Sequence, residues 1–543
     1  MGDHGAVNII GAGFAGLSAA CLLAREGFSC RLFSVQPSER AQSVLAEGGL
    51  NAALDTMGED DRPEEHYNDT LKGGVFLADP NAVKRLSEEA VRVAAWLQEL
   101  GVPFHMKNGR VVLRNFGGQK KKRTLYSRSS TGKIMMTALI DEVRKYEASG
   151  LVERFPHHEC VRVLIAGGSC FGVRIKDLYT GAVCDYPGKT ILCCGGLTGI
   201  FPGMTTGSAL NTGDLAACLF SEGVVFSNLE MIQYHPTTLG IPGKRLLVSE
   251  AARGEGGRLF VMRDGEPWYF MEEKYPELGN LMPRDVVSRE MYFTARREDC
   301  GDTVYLDLTM LSDAAWEEKL KDLREELIHY FSIDPMTGPV PVQPGIHYFM
   351  GGIDVDIDHR TSINGLYAAG ECCSQYHGAN RLGGNSMLGA LVGGHAAALN
   401  IINTEKAGDM PEADHLTGSG LYPVSPEDDP ALAEASPVLV NRLSDILLEG
   451  LGIVRDGQSI SAALEKVRAA AGENPDYNLR EKNRLILAEA MLKSAGSRRE
   501  SRGAHYRSDY PETDENFRRT SAACYEDGEV RIAFRSIPER RES

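Results

Sequence analysis

The sequence predicts an α/β protein: a Rossmann-like dinucleotide-binding domain, an α+β capping domain inserted into it, and a C-terminal helical domain. Three observations carry this. A glycine turn, GAGFAG at Gly11 to Gly16, lies between an apolar strand and a helical stretch. Strand-and-turn units of the same kind return at residues 191–196 and 365–371, on either side of a region of different texture. Beyond residue 430, apolar residues recur at helical spacing.

Taken in order, residues 7–10 read as a strand, residues 17–26 as a helix stopped by Gly27, and residues 30–34 as the next strand. The glycines let the backbone approach a pyrophosphate, and the helix N-terminus turns free N–H groups and its dipole toward that charge. Residues 81–100 read as a helix with Trp96 and Leu97 on its apolar face, and residues 152–186 as β-rich. Residues 236–344 hold loops, short strands and a helix over 314–331, ending in the proline-rich run 338–345. A helix is expected over 389–402, a linker over 409–430, and helices over 438–451, 460–471 and 481–495. The polar last forty residues are expected to drape over a surface. The resulting division is 1–235 and 345–408 for the two parts of the dinucleotide domain, 236–344 for the cap, 431–498 for the helical domain and 499–543 for the tail.

Composition excludes several classes. With 58 Lys plus Arg against 75 Asp plus Glu, the net charge of −17 argues against nucleic acid as a partner. The 12 cysteines show no C-x-x-C spacing, so no metal or cluster site is expected, and reduced thiols in a cytoplasmic protein are the default. The N-terminus lacks a charged segment followed by an apolar one, and no run approaches the roughly 20 apolar residues of a membrane helix.

Five segments embed polar residues in glycine-rich surroundings: 233–237, 249–257, 283–285, 347–352 and 377–386. Singly, each has an ordinary reading as a buried hydrogen-bonded histidine, a structural ion pair or a cap. Together, two His and two Arg among glycines form a set able to clamp a small dicarboxylate, because guanidinium forks bind carboxylates in a bidentate way. A G-x-S-x-G elbow and a P-loop are both missing, which removes the hydrolase and triphosphatase readings.

With these motifs, from GAGFAG to the segment 499–505, the chain resembles the flavoprotein subunits of succinate dehydrogenase and fumarate reductase, especially the shorter Gram-positive-like form. The resemblance makes the dinucleotide domain an FAD-binding one and implies interconversion of fumarate and succinate. It implies that Gly11, Ala12, Gly13, Phe14, Ala15, Gly16, Ser34, Gln42, Ser43, Gly48, Gly49, Asp214, Glu371, Ser386 and Met387 line the FAD. It places His235, Ser249, His347 and Arg381 on the dicarboxylate, Arg284 as proton donor or acceptor, and Glu250 and Arg253 as the route of protons to Arg284. A fumarate reductase needs a hydride from flavin N5 on one alkene carbon and a proton on the other. Charged clamps such as Arg381 can supply the binding energy that twists a carboxylate out of the alkene plane. A guanidinium acid sits awkwardly with the rule that arginine stays protonated; the resemblance answers this with transient transfer within the relay.

Three departures from the family pattern matter. Gln42 stands where the family has the histidine that bonds covalently to flavin, so dissociable FAD is expected, with a lower flavin potential that favours fumarate reduction. Ser34 replaces the acidic residue common at the end of the second Rossmann strand, which weakens an NAD reading more than an FAD one. Ser249 replaces a common Thr but keeps the hydroxyl.

Three competing readings remain in view. L-aspartate oxidases share the fold, most of the clamp and non-covalent FAD, but resemble the 115–118 segment with Glu at the position of Phe116, where it meets the substrate ammonium; an apolar ring cannot neutralise that charge. Reductases of other enoates would lose one arm of the clamp, yet His235 and Arg381 are both present. A non-catalytic FAD platform would not need Arg284, Glu250 and Arg253. The basic run Lys120–Arg123 reads as a solvated face, with electrostatic guidance of a dianion as the alternative. Electrons for the flavin must come from elsewhere. The resemblance names an iron–sulfur subunit and a membrane anchor, placing the chain peripherally at the cytoplasmic face of a membrane, in the electron transport of anaerobic respiration.

Overall fold

The structure, a computed structural model, describes residues 5–128, 130–407, 422–424 and 432–540. Its centre is a five-stranded parallel sheet in the order Leu366–Ala368, Thr190–Leu192, Val7–Ile10, Cys30–Ser34, Val152–Pro156. The first strand, VNII, is buried along its whole length, as a central parallel strand covered on both faces must be. Asn8 is the one polar side chain in it, and its amide donates to the Tyr186 carbonyl at 2.9 Å. All three segments read as strand-and-turn units are thus neighbours in one sheet.

The helix Phe14–Arg25 packs against the long helix Asn385–Ala407. Their closeness depends on missing side chains. A Cβ at Gly394 would lie 2.2 Å from the Ala15 carbonyl oxygen; within the glycine turn itself, one at Gly16 would lie 1.9 Å from the Gly11 carbonyl oxygen. The long helix also corrects an expectation. Its Asn385–Lys406 stretch is long and apolar enough to cross a membrane, but two thirds of the apolar window (67%) is buried inside the protein. Leu388, Leu391, Val392 and Ile401 face the core shared with the first helix. Its apolarity serves the interior.

The inserted region forms a six-stranded sheet in the order Lys244–Leu247, Ile232–Ile241, Val340–Phe349, Val304–Asp307, Arg258–Arg263, Glu266–Trp268. Both boundaries expected for the cap, at 235/236 and 344/345, fall inside the two central strands, which pair antiparallel with one another. The proline-rich run is therefore mostly strand. Pro236 is accommodated in an irregularity between His235 and Thr238, where the ladder shifts register. The helix expected over 314–331 is two helices, Asp313–Glu318 and Lys321–Phe331. The break at Lys319 and Leu320 lets Trp316, Leu320, Leu323 and Leu327 all enter the cap core.

Helices Pro437–Leu451, Gly457–Glu473 and Leu479–Ser497 form the C-terminal bundle, the last two opened by capping boxes at Asp456/Ser459 and Asn478/Glu481. The expected linker at 409–430 lies outside the described residues except for the strand Tyr422–Val424, which pairs with Val183–Pro187.

The tail does not simply drape. Strands Arg519–Glu526 and Glu529–Ser536 form a hairpin that joins a sheet through Phe226–Ser227. Ahead of it, Arg498, Glu500, Arg502 and His505 are buried. Arg498 Nε donates to Glu230 at 2.7 Å and its Nη1 to Glu500 at 3.0 Å, while Arg502 forks onto Glu500 at 2.8 and 3.0 Å. Polar composition misleads here because each charge is buried against its opposite. Removing one member strands the others, so Glu500→Ala is expected to cost about 3–5 kcal/mol. Denaturant unfolding of the variant checks this; a loss under about 1 kcal/mol would contradict it.

The basic run is a solvated face only in part: Lys120 and Lys122 are exposed. Arg123 is wholly buried, paired with Asp61 at 3.0 Å and Asp69 at 2.9 Å. Lys122 pairs with Glu59 at 3.3 Å, and Lys121 donates to the Glu59 carbonyl. Among the described residues neither Lys120 nor Lys121 forms an ion pair, so the four charges do not make one uniform exposed patch.

Candidate active site

A cavity of about 790 Å³ runs from the glycine turn to the cap. It is lined by every residue expected to hold a dinucleotide except Gly16, whose place is structural. The near end has the features a pyrophosphate needs. The helix Phe14–Arg25 opens without a side-chain cap and without an acid in its first turn. Gly13 faces Ser43, where a Cβ would lie 2.9 Å from the hydroxyl. The Ser43 hydroxyl accepts from the Phe14 N–H at 3.1 Å.

Further along, Ser34 donates to the Gln36 carbonyl at 2.7 Å. Asp214 is held from behind by the helical domain, by Arg484 at 2.5 Å and Arg480 at 3.4 Å. Glu371 accepts from the Phe349 N–H at 3.1 Å, and burial pushes its carboxyl up to about 7. Gln42 carries a buried Oε1 with no hydrogen-bond partner. An extended, glycine-lined cleft with unsatisfied polar atoms fits FAD.

At the far end, two strand-borne histidines face each other, the His235 and His347 rings 5.1 Å apart. His235 Nδ1 lies 3.3 Å from the Thr237 N–H, which leaves its buried Nε2 without a protein partner. His347 Nδ1 pairs with the Thr206 hydroxyl at 2.7 Å. Burial, reinforced by the Arg284 charge, drives both imidazoles well below the usual histidine range, so both are neutral at pH 7. Ser249 caps the short helix Glu250–Gly254 through the Ala251 N–H at 3.4 Å.

Arg381 lies 4.3 Å from the centre of the Tyr348 ring, and its Nε is buried and unpartnered. Burial first, and then the Arg284 charge, push its guanidinium down to about 9. Phe116 is 1% exposed and lies against Gly383 and Gly48, where added Cβ atoms would come within 2.9 and 3.3 Å of the ring. A buried arginine and a buried imidazole with free donors, beside a second imidazole, are what a dianion would satisfy.

Behind this end runs a line of charged groups. Arg284 opens the helix Arg284–Thr294 and forks onto Glu250 Oε2, Nε at 2.9 Å and Nη2 at 2.5 Å. Glu250 also accepts from the Gly117 N–H at 3.1 Å and lies 3.5 Å from Arg253 Nη2. Arg253 donates to the Asn280 carbonyl at 2.6 Å and does not line the cavity. Burial opposes ionisation of Glu250, but the Arg284 and Arg253 charges and the Arg284 hydrogen bonds outweigh it and hold the carboxyl below its usual range.

Three further residues shape the site: Gln233 and Tyr348, which lie in the segments 233–237 and 347–352 but carried no assigned role, and Thr206. Gln233 accepts from Arg284 Nη1 at 3.1 Å and donates to Asn380 and to the Arg381 carbonyl, both at 2.8 Å. Its place two residues before His235 was the available signal. Tyr348 had only its place beside His347, and Thr206 carried none, because their roles depend on which loops meet.

Comparison with known proteins identifies the fold and the family. A family model described as "FAD binding domain" matches residues 7–387, and one described as "Fumarate reductase flavoprotein C-term" matches residues 440–541. The chain is 35% identical to a succinate dehydrogenase flavoprotein subunit of Bacillus subtilis, over 96% of this chain and 94% of that one. It is 33% identical to a fumarate reductase flavoprotein subunit of Mycobacterium tuberculosis, over 97% and 96%. Among solved structures, a substituted chain of E. coli quinol fumarate reductase superposes with a TM-score of 0.86 at 28% identity, covering 99% of this chain and 98% of the other.

Proposed function

The chain belongs to the family of succinate dehydrogenase and fumarate reductase flavoprotein subunits, which are FAD-dependent oxidoreductases, and on that footing we propose that it interconverts fumarate and succinate with reduction favoured. The observation that supports this best is the unpartnered, buried Nε of Arg381 and Nε2 of His235, with the Arg284–Glu250–Arg253 line directly behind.

When bound, FAD supplies the hydride equivalent at its N5. The chain's own residues do the rest. Arg381, His347, His235 and Ser249 hold the two carboxylates. Phe116 shuts water out of that end of the pocket. Arg284 presents to the alkene carbon an N–H not already engaged by Glu250 or Gln233. The proton it gives up is replaced through Glu250, held ionised by its two arginines and so ready to accept from the Arg253 side. Succinate oxidation runs the same line in reverse.

Fumarate-dependent oxidation of a reduced viologen by the purified holoprotein tests the reading. L-Aspartate turnover without fumarate turnover would favour the aspartate oxidase alternative, which Phe116 opposes. The FAD is proposed to be non-covalent because Gln42 cannot form the histidyl link. Acid precipitation is expected to leave the flavin in the supernatant; flavin retained on the protein pellet would refute it. We further propose an iron–sulfur subunit and a membrane anchor as partners, with this chain peripheral at the cytoplasmic face. Native co-purification with iron and haem analysis tests that assembly.

A further inference from the structure

The cap carries a further arginine on the wall of the same cavity, close to the strands that hold both histidines. Arg245 lies on the edge strand Lys244–Leu247, opposite Gly240. Its side chain crosses inward, and a Cβ on Gly345 would lie 2.5 Å from Arg245 Cδ. Gly345 is itself the ladder partner of His235 and stands two residues before His347 on the same strand. Arg245 therefore reaches the clamp by passing over a position that has no side chain.

Its charge is not balanced there. Arg245 is 7% exposed, and among the described residues no carboxylate is within ion-pairing distance of it. Nη2 meets the Met204 sulfur at 3.4 Å. With its amide oxygen turned toward Arg245, Gln343 accepts from Nη1 at 2.7 Å and Nη2 at 3.1 Å. Nε is buried and has no partner. Burial alone pushes this guanidinium below its usual range. A buried cation whose neighbours are a thioether and an amide is costly unless an anion arrives. Arg245 also lines the cavity.

We propose that Arg245 forms a carboxylate subsite beside His235 and His347, for an anionic group beyond the two that the dicarboxylate clamp engages. The ligand is a tricarboxylate built on a four-carbon dicarboxylate core, or a free small carboxylate bound beside a dicarboxylate. This rests on the dicarboxylate reading of the clamp and enlarges its substrate class.

Calorimetric titration of the holoprotein with succinate and with propane-1,2,3-tricarboxylate tests it, in the wild type, Arg245→Met and Arg245→Lys. For a third carboxylate, the ratio of tricarboxylate Kd to succinate Kd rises at least about tenfold in Arg245→Met and much less in Arg245→Lys. For a free carboxylate, added formate tightens succinate binding in the wild type and not in Arg245→Met. An unchanged ratio together with no formate effect overturns the subsite. Tricarboxylate binding that depends on Arg245, with no succinate binding at all, would support the subsite and overturn the dicarboxylate reading.

Discussion

Replacing Arg284 with Gln is expected to lower fumarate turnover by about 10³-fold while succinate still binds. The side chain is fixed by three contacts, two to Glu250 and one to Gln233, so its remaining N–H groups have a set direction. A neutral amide at this place can still donate a hydrogen bond but cannot be recharged by Glu250. The loss should fall on kcat, since the clamp is made by other residues. Lysine would keep the charge but not the fork, and is expected to recover only part of the rate. Steady-state kinetics with a reduced viologen, beside a succinate titration, measure both quantities. A loss confined to KM would mean that Arg284 binds substrate rather than moving a proton.

Arg381→Met is expected to reduce kcat/KM for fumarate by about 10²–10³-fold, with succinate affinity falling in parallel. Here the physical reason is different. Arg381 rests against the Tyr348 ring and, among the described residues, has no carboxylate partner, so its Nε is available to the substrate rather than to the protein. Methionine fills similar volume on that ring, which keeps the packing and removes the charge. Because burial already disfavours the unpaired guanidinium, the free enzyme loses little stability, and thermal unfolding should shift far less than the kinetics. Equal loss in both measurements would recast Arg381 as structural.

Much of this was legible from local pattern. A glycine turn between strand and helix obeys short-range rules, since the residues that approach the pyrophosphate are adjacent in the chain. The long helix packs where it does because Gly394 admits Ala15, yet its apolar face alone could not distinguish core from membrane. The proline-rich run 338–345 lies mostly in the strand Val340–Phe349, fixed by pairing with Ile232–Ile241 that no local pattern shows. The tail and Arg123 were misread for one shared reason. Charge in a sequence signals solvent only while its partner is unknown, and Asp61, Asp69, Glu230 and Glu500 supplied partners from distant segments or from around a turn.

The sequence by itself determined the fold class, the cofactor end of the cleft and the residue types of the clamp. These follow from periodicity and from motifs whose parts are contiguous. Only the tertiary structure decided which donors were left free. Gln233 ties Arg284 to the Arg381 loop, Thr206 occupies one nitrogen of His347, and the missing side chain at Gly345 lets Arg245 cross over that strand position. Whether a buried polar atom is satisfied depends on atoms brought together from remote parts of the chain, and no local pattern encodes that sum.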